Sequence, residues 1–285
     1  MAPLEAYIRP EPSVMLSRED GAFKYYSASG LDRYAVPHAF TTRAGGVSEG
    51  YLAALNMGVS RGDSAENLRE NYRIVCNSLG LMSENTVFFK QTHSDKVRKV
   101  TAADAGFGLF RDSEESFDAL VTNEPEIALC VFSADCVPIL LYDPVNAAVG
   151  AVHAGWRGTA GAAVSKALGL MKKEYGTKPE NVQAAIGAAI GPCCFETDDD
   201  VPYALTEAMG LAAHIRMSRA GKNRWRVDLK NLNRDWLIND GVPDVNIAVS
   251  HQCTACLPDV YWSHRGMKAE RGAQCAVVSL PGRSE

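Results

Sequence analysis

Three short motifs between residues 91 and 158 place two imidazoles and one thiol beside turns. His93, Cys136 and His153 are the ligand types of a zinc site that leaves a fourth position open for water or substrate. They lie far apart in the sequence, unlike the ligands of a zinc finger, so they could meet only in the folded chain. The competing interpretation is two core histidines and a buried cysteine. The motifs are Gln91-Thr92-His93, Ala134-Asp135-Cys136 and His153-Ala154-Gly155-Trp156-Arg157-Gly158.

Two carboxylates accompany these motifs. Asp135 precedes Cys136, and neighbours in an extended strand point to opposite faces. Asp135 could therefore orient a ligand histidine or act as a base. It could equally be a strand-end carboxylate that accepts bonds from backbone amides. Asp118 poses the same choice.

Three arginines are candidates for binding phosphate or a carboxylate. Arg157 lies between two glycines at a predicted helix start, where free amides also favour an anion. The alternative is an ordinary helix N-terminus with a solvated arginine. Arg43 opens a glycine-rich loop that lacks the lysine of a nucleotide-binding P-loop. Arg265 is a third candidate of the same kind.

Cys253 and Cys256 form a CxxC pattern. A metal site would need a second pair, and Cys193 and Cys194 are adjacent rather than spaced. A redox CxxC usually begins a helix, whereas Leu257-Pro258 follows here. We expect ordinary structural thiols.

Hydrophobic periodicity predicts the elements that must position these residues. Strands and helices mix without regular βαβ alternation, which favours an α+β domain with mixed sheets. No repeat or linker divides the chain, so we expect a single domain over 1–285, with a weakly patterned lead-in at 1–30. The predicted helices are 64–79, 159–175, 200–209 and 227–238. The predicted strands are 38–42, 86–90, 97–101, 128–132, 138–142, 147–153, 182–190, 245–249, 261–263 and 274–280.

Composition excludes several classes of function. The 285 residues carry a net charge of −5, with no basic surplus to neutralise nucleic acid. No window approaches the roughly 20 apolar residues that span a bilayer. We find no signal peptide, and the eight cysteines are scattered, so we expect a cytoplasmic protein with reduced thiols. The absence of heptads predicts a monomer. A small phosphorylated or sugar-like ligand stays possible.

Together the motifs resemble the laccase-domain (YfiH) family, whose labels are laccase-like polyphenol oxidoreductase, peptidoglycan editing factor and purine nucleoside phosphorylase. The similarity runs in order from about 38 to 280, and it adds Asn56 and Gln91 as substrate or phosphate candidates. The matching motifs are Thr42-Arg43, Gly45-Gly46-Val47-Ser48, Leu55-Asn56, Gln91-Thr92-His93, Asp118-Ala119-Leu120, Ala134-Asp135-Cys136-Val137-Pro138, His153-Ala154-Gly155-Trp156-Arg157-Gly158, Ile190-Gly191-Pro192-Cys193-Cys194-Phe195, Asp228-Leu229, Cys253-Thr254 and Ser263-His264-Arg265.

This resemblance implies an αββα layered sandwich, similar to the catalytic domain of cytotoxic necrotizing factor toxins. It implies one zinc per chain, bound by His93, Cys136 and His153. The implied reactions are phosphorolysis of adenosine, guanosine, inosine and methylthioadenosine, with phosphate as co-substrate, and deamination of adenosine. The chain departs from the family pattern at Ser263–Gly266 and at Glu270–Ala273, which puts substrate contacts there in doubt.

The number of histidines in the chain argues against the laccase label. Multicopper oxidation with a trinuclear centre requires on the order of ten histidines, and this chain has six. None of the other four histidines pairs in an HxH pattern. We therefore expect no copper.

The sequence leaves three functions open. The first is a zinc-dependent purine nucleoside phosphorylase and adenosine deaminase, in which Asp135 moves protons while Arg43 and Arg157 hold phosphate. The second is a cysteine hydrolase that edits peptidoglycan precursors, with Cys136 as nucleophile and His153 as base. The third is a binding protein stabilised by zinc, for which Cys193 or Cys253 would have to supply a fourth ligand.

Overall fold

A computed structural model describes residues 11–282, so the first ten residues of the predicted lead-in lie outside the described residues. The strands are β1 Met15–Asp20, β2 Phe23–Ala28, β3 His38–Thr41, β4 Thr86–Val87, β5 Val97–Lys99, β6 Ala119–Thr122, β7 Ala128–Ser133, β8 Val137–Asp143, β9 Ala148–Ala154, β10 Gln183–Ile186, β11 Glu196–Thr197, β12 Met217–Gly221, β13 Arg224–Val227, β14 Ile247–Val249 and β15 Gln274–Val278. The α-helices are α1 Ser29–Asp32, α2 Ala65–Ser78, α3 Trp156–Ala160, α4 Ala163–Tyr175, α5 Asp200–Met209, α6 Leu229–Asn239 and α7 His264–Met267.

Two six-stranded mixed sheets form the centre of the fold. The first sheet has the order β1-β2-β3-β15-β7-β4, and the second has the order β14-β10-β8-β9-β6-β5. Most neighbours are antiparallel, whereas the β4–β7, β5–β6 and β10–β14 pairs are parallel. A small sheet of β11, β13 and β12 lies apart from these two. This arrangement confirms the predicted α+β class with mixed sheets.

Three buried clusters show how the layers stack. The middle cluster joins β7 and β15 of the first sheet to β8 and β9 of the second. The second sheet packs its other face against α4 and α6, and the first sheet packs its other face against α2. Strands of both sheets are thus buried on two faces, which explains their continuous apolar runs. The order of layers is helix, sheet, sheet, helix.

Side-chain caps fix the starts of two predicted helices. Ser64 accepts a bond from the Asn67 amide at the start of α2, and Asp228 accepts one from the Asn231 amide at the start of α6. The predicted helix 159–175 is wrong at its start. A short α3 ends at Ala160, and Ala162 adopts a left-handed conformation with φ of 55° before α4 begins.

The strand predictions fail where side-chain patterning is weak. β1 and β2 form a hairpin within the predicted lead-in, and β12 and β13 form another that is mostly exposed. Residues 261–263 were predicted as a strand but are not one. There the Trp262 amide donates to the side chain of Gln274 rather than to a neighbouring strand. Within residues 11–282, no helix combines the length and apolarity needed to cross a bilayer.

Candidate functional site

The fold brings His93, Cys136 and His153 together. One ligand-capable atom from each residue lies within 4.8 Å of the others. The two imidazole rings are 5.1 Å apart at their centroids and meet edge to face at 76°. His153 is 3% exposed, whereas His93 reaches the surface. The three donors therefore form a cluster that is open on one side.

Segments that cross between the two central sheets carry two of these residues. His93 lies between β4 of the first sheet and β5 of the second. Cys136 lies between β7 and β8, which also belong to different sheets. His153 is near the end of β9. The triad therefore lies at the edge where the stacked sheets are connected.

Asp118, which immediately precedes β6, organises both histidines. Its Oδ1 lies 2.8 Å from Nδ1 of His153 and accepts the His93 amide at 3.0 Å. Its Oδ2 accepts the amides of Thr92 and Ser94 and the Ser94 hydroxyl. One buried carboxylate thus orients the imidazole of His153 and holds the turn that carries His93. Oriented in this way, His153 presents Nε2 for a ligand.

Burial and neighbouring groups shift the pKa values of Cys136, His153 and Asp118. Burial alone would raise the pKa of Cys136, but the charge of His153 and hydrogen bonds from both histidines lower it to about 6. Burial alone would lower the pKa of His153, but Cys136 and Asp118 raise it to about 9. Burial also opposes ionisation of Asp118, yet bonds from His153 and Ser94 lower its pKa to about 2. A thiolate is the form that binds a metal or attacks an electrophile.

Gly155 leaves room for the cluster. A Cβ at this position would lie 3.0 Å from the sulfur of Cys136 and 3.1 Å from Cδ2 of His93. Both distances are shorter than ordinary contacts. The glycine after β9 is therefore required by the close approach of two candidate ligands.

A cavity of about 430 Å³ opens beside the triad. Aromatic rings of Phe88, Phe89 and Phe132 form part of its wall, and the cations Arg61, Lys90 and Arg271 also line it. Apolar walls with a few convergent polar groups are typical of small-molecule sites. The combination suits a ligand with a flat ring and an anionic group.

Arg271 is the most unusual of these cations. It is 8% exposed, and its Nη1 donates to the carbonyl of Gly272. Within the described residues its buried Nε has no hydrogen-bond partner. Burial and the nearby charge of Arg61 lower the pKa of Arg271 to about 10. A buried guanidinium with spare donors beside a second arginine is a ready anion site.

Asp135, the predicted proton shuttle, is engaged on both carboxylate oxygens. Oδ1 accepts from the Thr254 hydroxyl and Oδ2 from the Arg265 amide, each at 2.6 Å. Its φ of 99° is a conformation that residues other than glycine rarely adopt. The residues that line the cavity include its neighbours Ala134 and Cys136 but not Asp135. Its catalytic role stays a prediction.

The three predicted anion-binding arginines do not line the cavity. Arg43 donates to the carbonyls of Pro258 and Ala53, and it stacks on Trp262. Arg265 donates to the carbonyls of Cys194 and Glu196. Arg157 is exposed and stacks on Trp156.

Of the two predicted amide side chains, Gln91 lines the cavity and Asn56 lies behind its wall, and both are bonded to the backbone. Gln91 lines the cavity and bonds both the amide and the carbonyl of Phe132. Asn56 is fully buried and accepts from the amides of Gly58 and Ala273, two residues that line the cavity. Both side chains therefore shape the wall, and substrate contact by either stays a prediction.

Sequence reasoning did not select Arg61 or Arg271. A signal existed for Arg271, because the resemblance drew attention to Glu270–Ala273 as a departure near the last strand. Nothing in the sequence distinguishes Arg61, which lies in a polar loop, from a solvated arginine.

Comparison with known proteins assigns the chain to a family. The family described as multi-copper polyphenol oxidoreductase laccase matches residues 37–281. A protein named purine nucleoside phosphorylase YlmD, from Geobacillus stearothermophilus, is 36% identical over 247 residues, covering 86% of this chain and 89% of that protein. One named purine nucleoside phosphorylase, from Deinococcus radiodurans, is 37% identical over 249 residues, covering 87% and 91%.

A solved structure agrees with this assignment. The crystal structure of the Bacillus licheniformis hypothetical protein YfiH superposes with a TM-score of 0.87 at 31% identity, covering 93% of this chain and 98% of that one. The resemblance predicted from the motifs is confirmed. The chain belongs to the family described as multi-copper polyphenol oxidoreductase laccase, together with the YlmD and YfiH proteins.

Proposed function

We propose that this chain is a purine nucleoside phosphorylase that uses zinc held by His93, Cys136 and His153, and that it also deaminates adenosine. The observation that carries the proposal is a single cavity that is lined by the three donors, by aromatic rings and by a buried arginine. The Nε donor of that arginine has no partner among residues 11–282. The printed names of the relatives support the same reaction class.

The donor set fits zinc. A zinc ion bonded at about 2.0–2.3 Å holds its ligand atoms roughly 3.3–3.8 Å apart. Donors that already lie within 4.8 Å of one another need only small side-chain movements. The Asp118–His153 bond is the carboxylate–histidine pairing common behind zinc ligands. Zinc bound here would supply a Lewis acid and lower the pKa of a water molecule.

The arginines would bind phosphate. In phosphorolysis a phosphate oxygen forms a bond to C1′ of the ribose while the bond from C1′ to N9 breaks, and the purine leaves and takes up a proton. Arg271 and Arg61 can hold the phosphate dianion, and burial strengthens the charge-assisted bonds from Arg271. We propose these two residues in place of Arg43 and Arg157, which lie elsewhere.

The aromatic wall would hold the purine. Phe88 and Phe132 meet edge to face at 4.8 Å between centroids, and both line the cavity. Flat heterocycles pack favourably on such faces. Deamination replaces the 6-amino group with oxygen from water and releases ammonia, so it does not use the phosphate site. Phosphate dependence therefore separates the two proposed activities.

The first experiment is mass-spectrometric product analysis of adenosine incubated with the zinc-loaded protein, with and without phosphate. We expect adenine and ribose 1-phosphate only when phosphate is present, and inosine in either buffer. His93→Ala should abolish both product sets because it removes a zinc ligand. Glu114→Gln, on the exposed surface, is the control. Intact adenosine in every condition would exclude the nucleoside proposal.

A second candidate function is a cysteine hydrolase that acts on peptidoglycan precursors. It is favoured by the Asp118, His153 and Cys136 arrangement, in which a carboxylate orients an imidazole beside a thiol whose pKa is about 6. This mechanism does not require His93. A hydrolase would therefore retain activity in His93→Ala and in the presence of a zinc chelator, and it would lose activity when Cys136 is alkylated.

A further inference from the structure

Four cysteines form a second cluster outside the site described above. Cys193, Cys194, Cys253 and Cys256 place their sulfurs within 4.8 Å of one another. The Cys256 sulfur lies 3.5 Å from that of Cys193 and 3.3 Å from that of Cys194. All four are free thiols. The adjacent pair at 193–194, which gave no metal pattern in the sequence, thus faces the CxxC.

Backbone contacts hold the two cysteine segments together. Ala189 and Cys253 form an isolated parallel bridge, and the Thr254 amide donates to the Ala189 carbonyl. The Gly191 amide donates to the Cys253 sulfur at 3.2 Å. A Cβ on Gly191 would lie 3.3 Å from the Cβ of Cys253, so a glycine permits the close approach of these segments. The cluster is therefore built by the fold.

The spacing of the sulfurs suits one metal ion. Zinc–sulfur bonds of about 2.3 Å place the sulfurs of a tetrahedral site roughly 3.8 Å apart. This lies between the 3.3 and 3.5 Å separations from Cys256 and the 4.8 Å within which all four sulfurs lie. An iron–sulfur cluster holds its cysteine sulfurs farther apart, because several irons lie between them. Four thiolates in a tetrahedron are the typical ligand set of structural zinc.

The surroundings also suit a thiolate site. Four thiolates around a divalent ion carry a net negative charge, and the ammonium of Lys230 is buried within electrostatic range of Cys193 and Cys253. Cys253 is 7% exposed, whereas Cys193 and Cys256 are exposed. An ion could enter from solvent and be held against the protein.

We propose that Cys193, Cys194, Cys253 and Cys256 bind a second zinc ion, tetrahedral and closed, in addition to the one at the His93 triad. This goes beyond the proposed function, since the site has no free position for substrate. It ties the 191–195 segment to the turn at 253–256. Thr254 in that turn bonds Asp135, and Arg265, which also bonds Asp135, bonds the carbonyl of Cys194. The second zinc therefore positions the residue that precedes Cys136.

Zinc content tests the proposal without an activity assay. The 285-residue chain, purified with reductant and zinc and then desalted, should hold two zinc ions per chain by native mass spectrometry, one for each cluster. Cys256→Ser, at an exposed position, should hold one, and so should His93→Ala. The double variant should hold none. Cys275→Ala, which changes a buried thiol outside both clusters, is the matched control and should keep two.

X-ray absorption on His93→Ala supplies a measurement that does not depend on how the cysteine variants fold. We expect a zinc shell of about four sulfurs at about 2.3 Å. One zinc per wild-type chain that disappears in His93→Ala would overturn the proposal. So would a disulfide between Cys256 and Cys193 or Cys194 in protein kept reduced and supplied with zinc.

Discussion

Asp118 lies 2.8 Å from Nδ1 of His153 while also accepting the amide of His93, so one carboxylate holds two candidate metal ligands. Asp118→Asn would replace an acceptor oxygen with a donor that faces N–H groups. Losing such partners behind a metal ligand costs roughly 10–100-fold in affinity. Competition with a chromophoric chelator should show zinc binding weakened by this amount. Asp112→Asn, which changes an exposed carboxylate in the same cavity, should leave zinc affinity unchanged.

Gly155 gives a steric test of the same centre. In Gly155→Ala the new methyl would crowd the Cys136 sulfur and the His93 ring. Because a displaced ligand binds the metal less well, we expect zinc affinity to fall by roughly tenfold or more. The backbone at Gly155 has a φ of −69°, which alanine adopts without strain. Gly169→Ala is the control, since a Cβ there meets nothing within 4 Å. It should keep zinc affinity and stabilise α4 by about 0.5–1 kcal/mol. Equal zinc affinity in both variants would contradict the packing argument.

Two arginine variants test the proposed phosphate site. Hydrogen bonds to a charged group contribute about 1.5–3 kcal/mol, so Arg271→Met should raise the KM for phosphate roughly ten- to hundredfold. Deamination of adenosine should change little, because it uses no phosphate. Arg157→Met removes the exposed arginine selected from the sequence. If Arg157→Met rather than Arg271→Met raised the KM for phosphate, the sequence-based assignment would be the correct one. Initial rates at varied phosphate measure both variants.

Alkylation distinguishes a ligand from a nucleophile at Cys136. The pKa of Cys136 is lowered to about 6 beside His153, so in metal-free protein the thiolate predominates above that pH. Iodoacetamide should then label Cys136 rapidly at neutral pH and more slowly as the pH falls below about 6. Bound zinc should protect the residue. Peptide mapping by mass spectrometry separates Cys136 from the other thiols, and rapid labelling in the zinc-loaded protein would favour the hydrolase.

Local signals in the sequence identified the helices that carry caps and the strands that are buried. Ser64 and Asp228 cap α2 and α6 close to the predicted starts of these helices, because capping depends on residues three positions apart. The hairpin of β1 and β2 was missed, since its strands lack a clear apolar alternation. The break at Ala162 was missed because a single left-handed alanine has no compositional signal.

The candidate site also contains residues that the sequence indicates and residues that only packing brings together. His93, Cys136 and His153 were found because ligand types beside turns are visible in a motif. The role of Asp118 was left open between two carboxylates, as the choice depends on which one approaches Nδ1 of His153. Arg61 and Arg271 converge on the cavity from different parts of the chain, and that convergence is a property of packing. The four-cysteine cluster escaped notice for the same reason.

The position of His93 and Cys136 on segments that cross between the sheets has a consequence for the order of folding. His93 and Cys136 each lie where the chain passes from the first sheet to the second, so the positions of both donors depend on both sheets. We therefore expect metal capture at the triad to become favourable once the middle cluster is buried. A partly folded chain still exposes single histidines and thiols, but it offers them one at a time and so competes poorly for the metal.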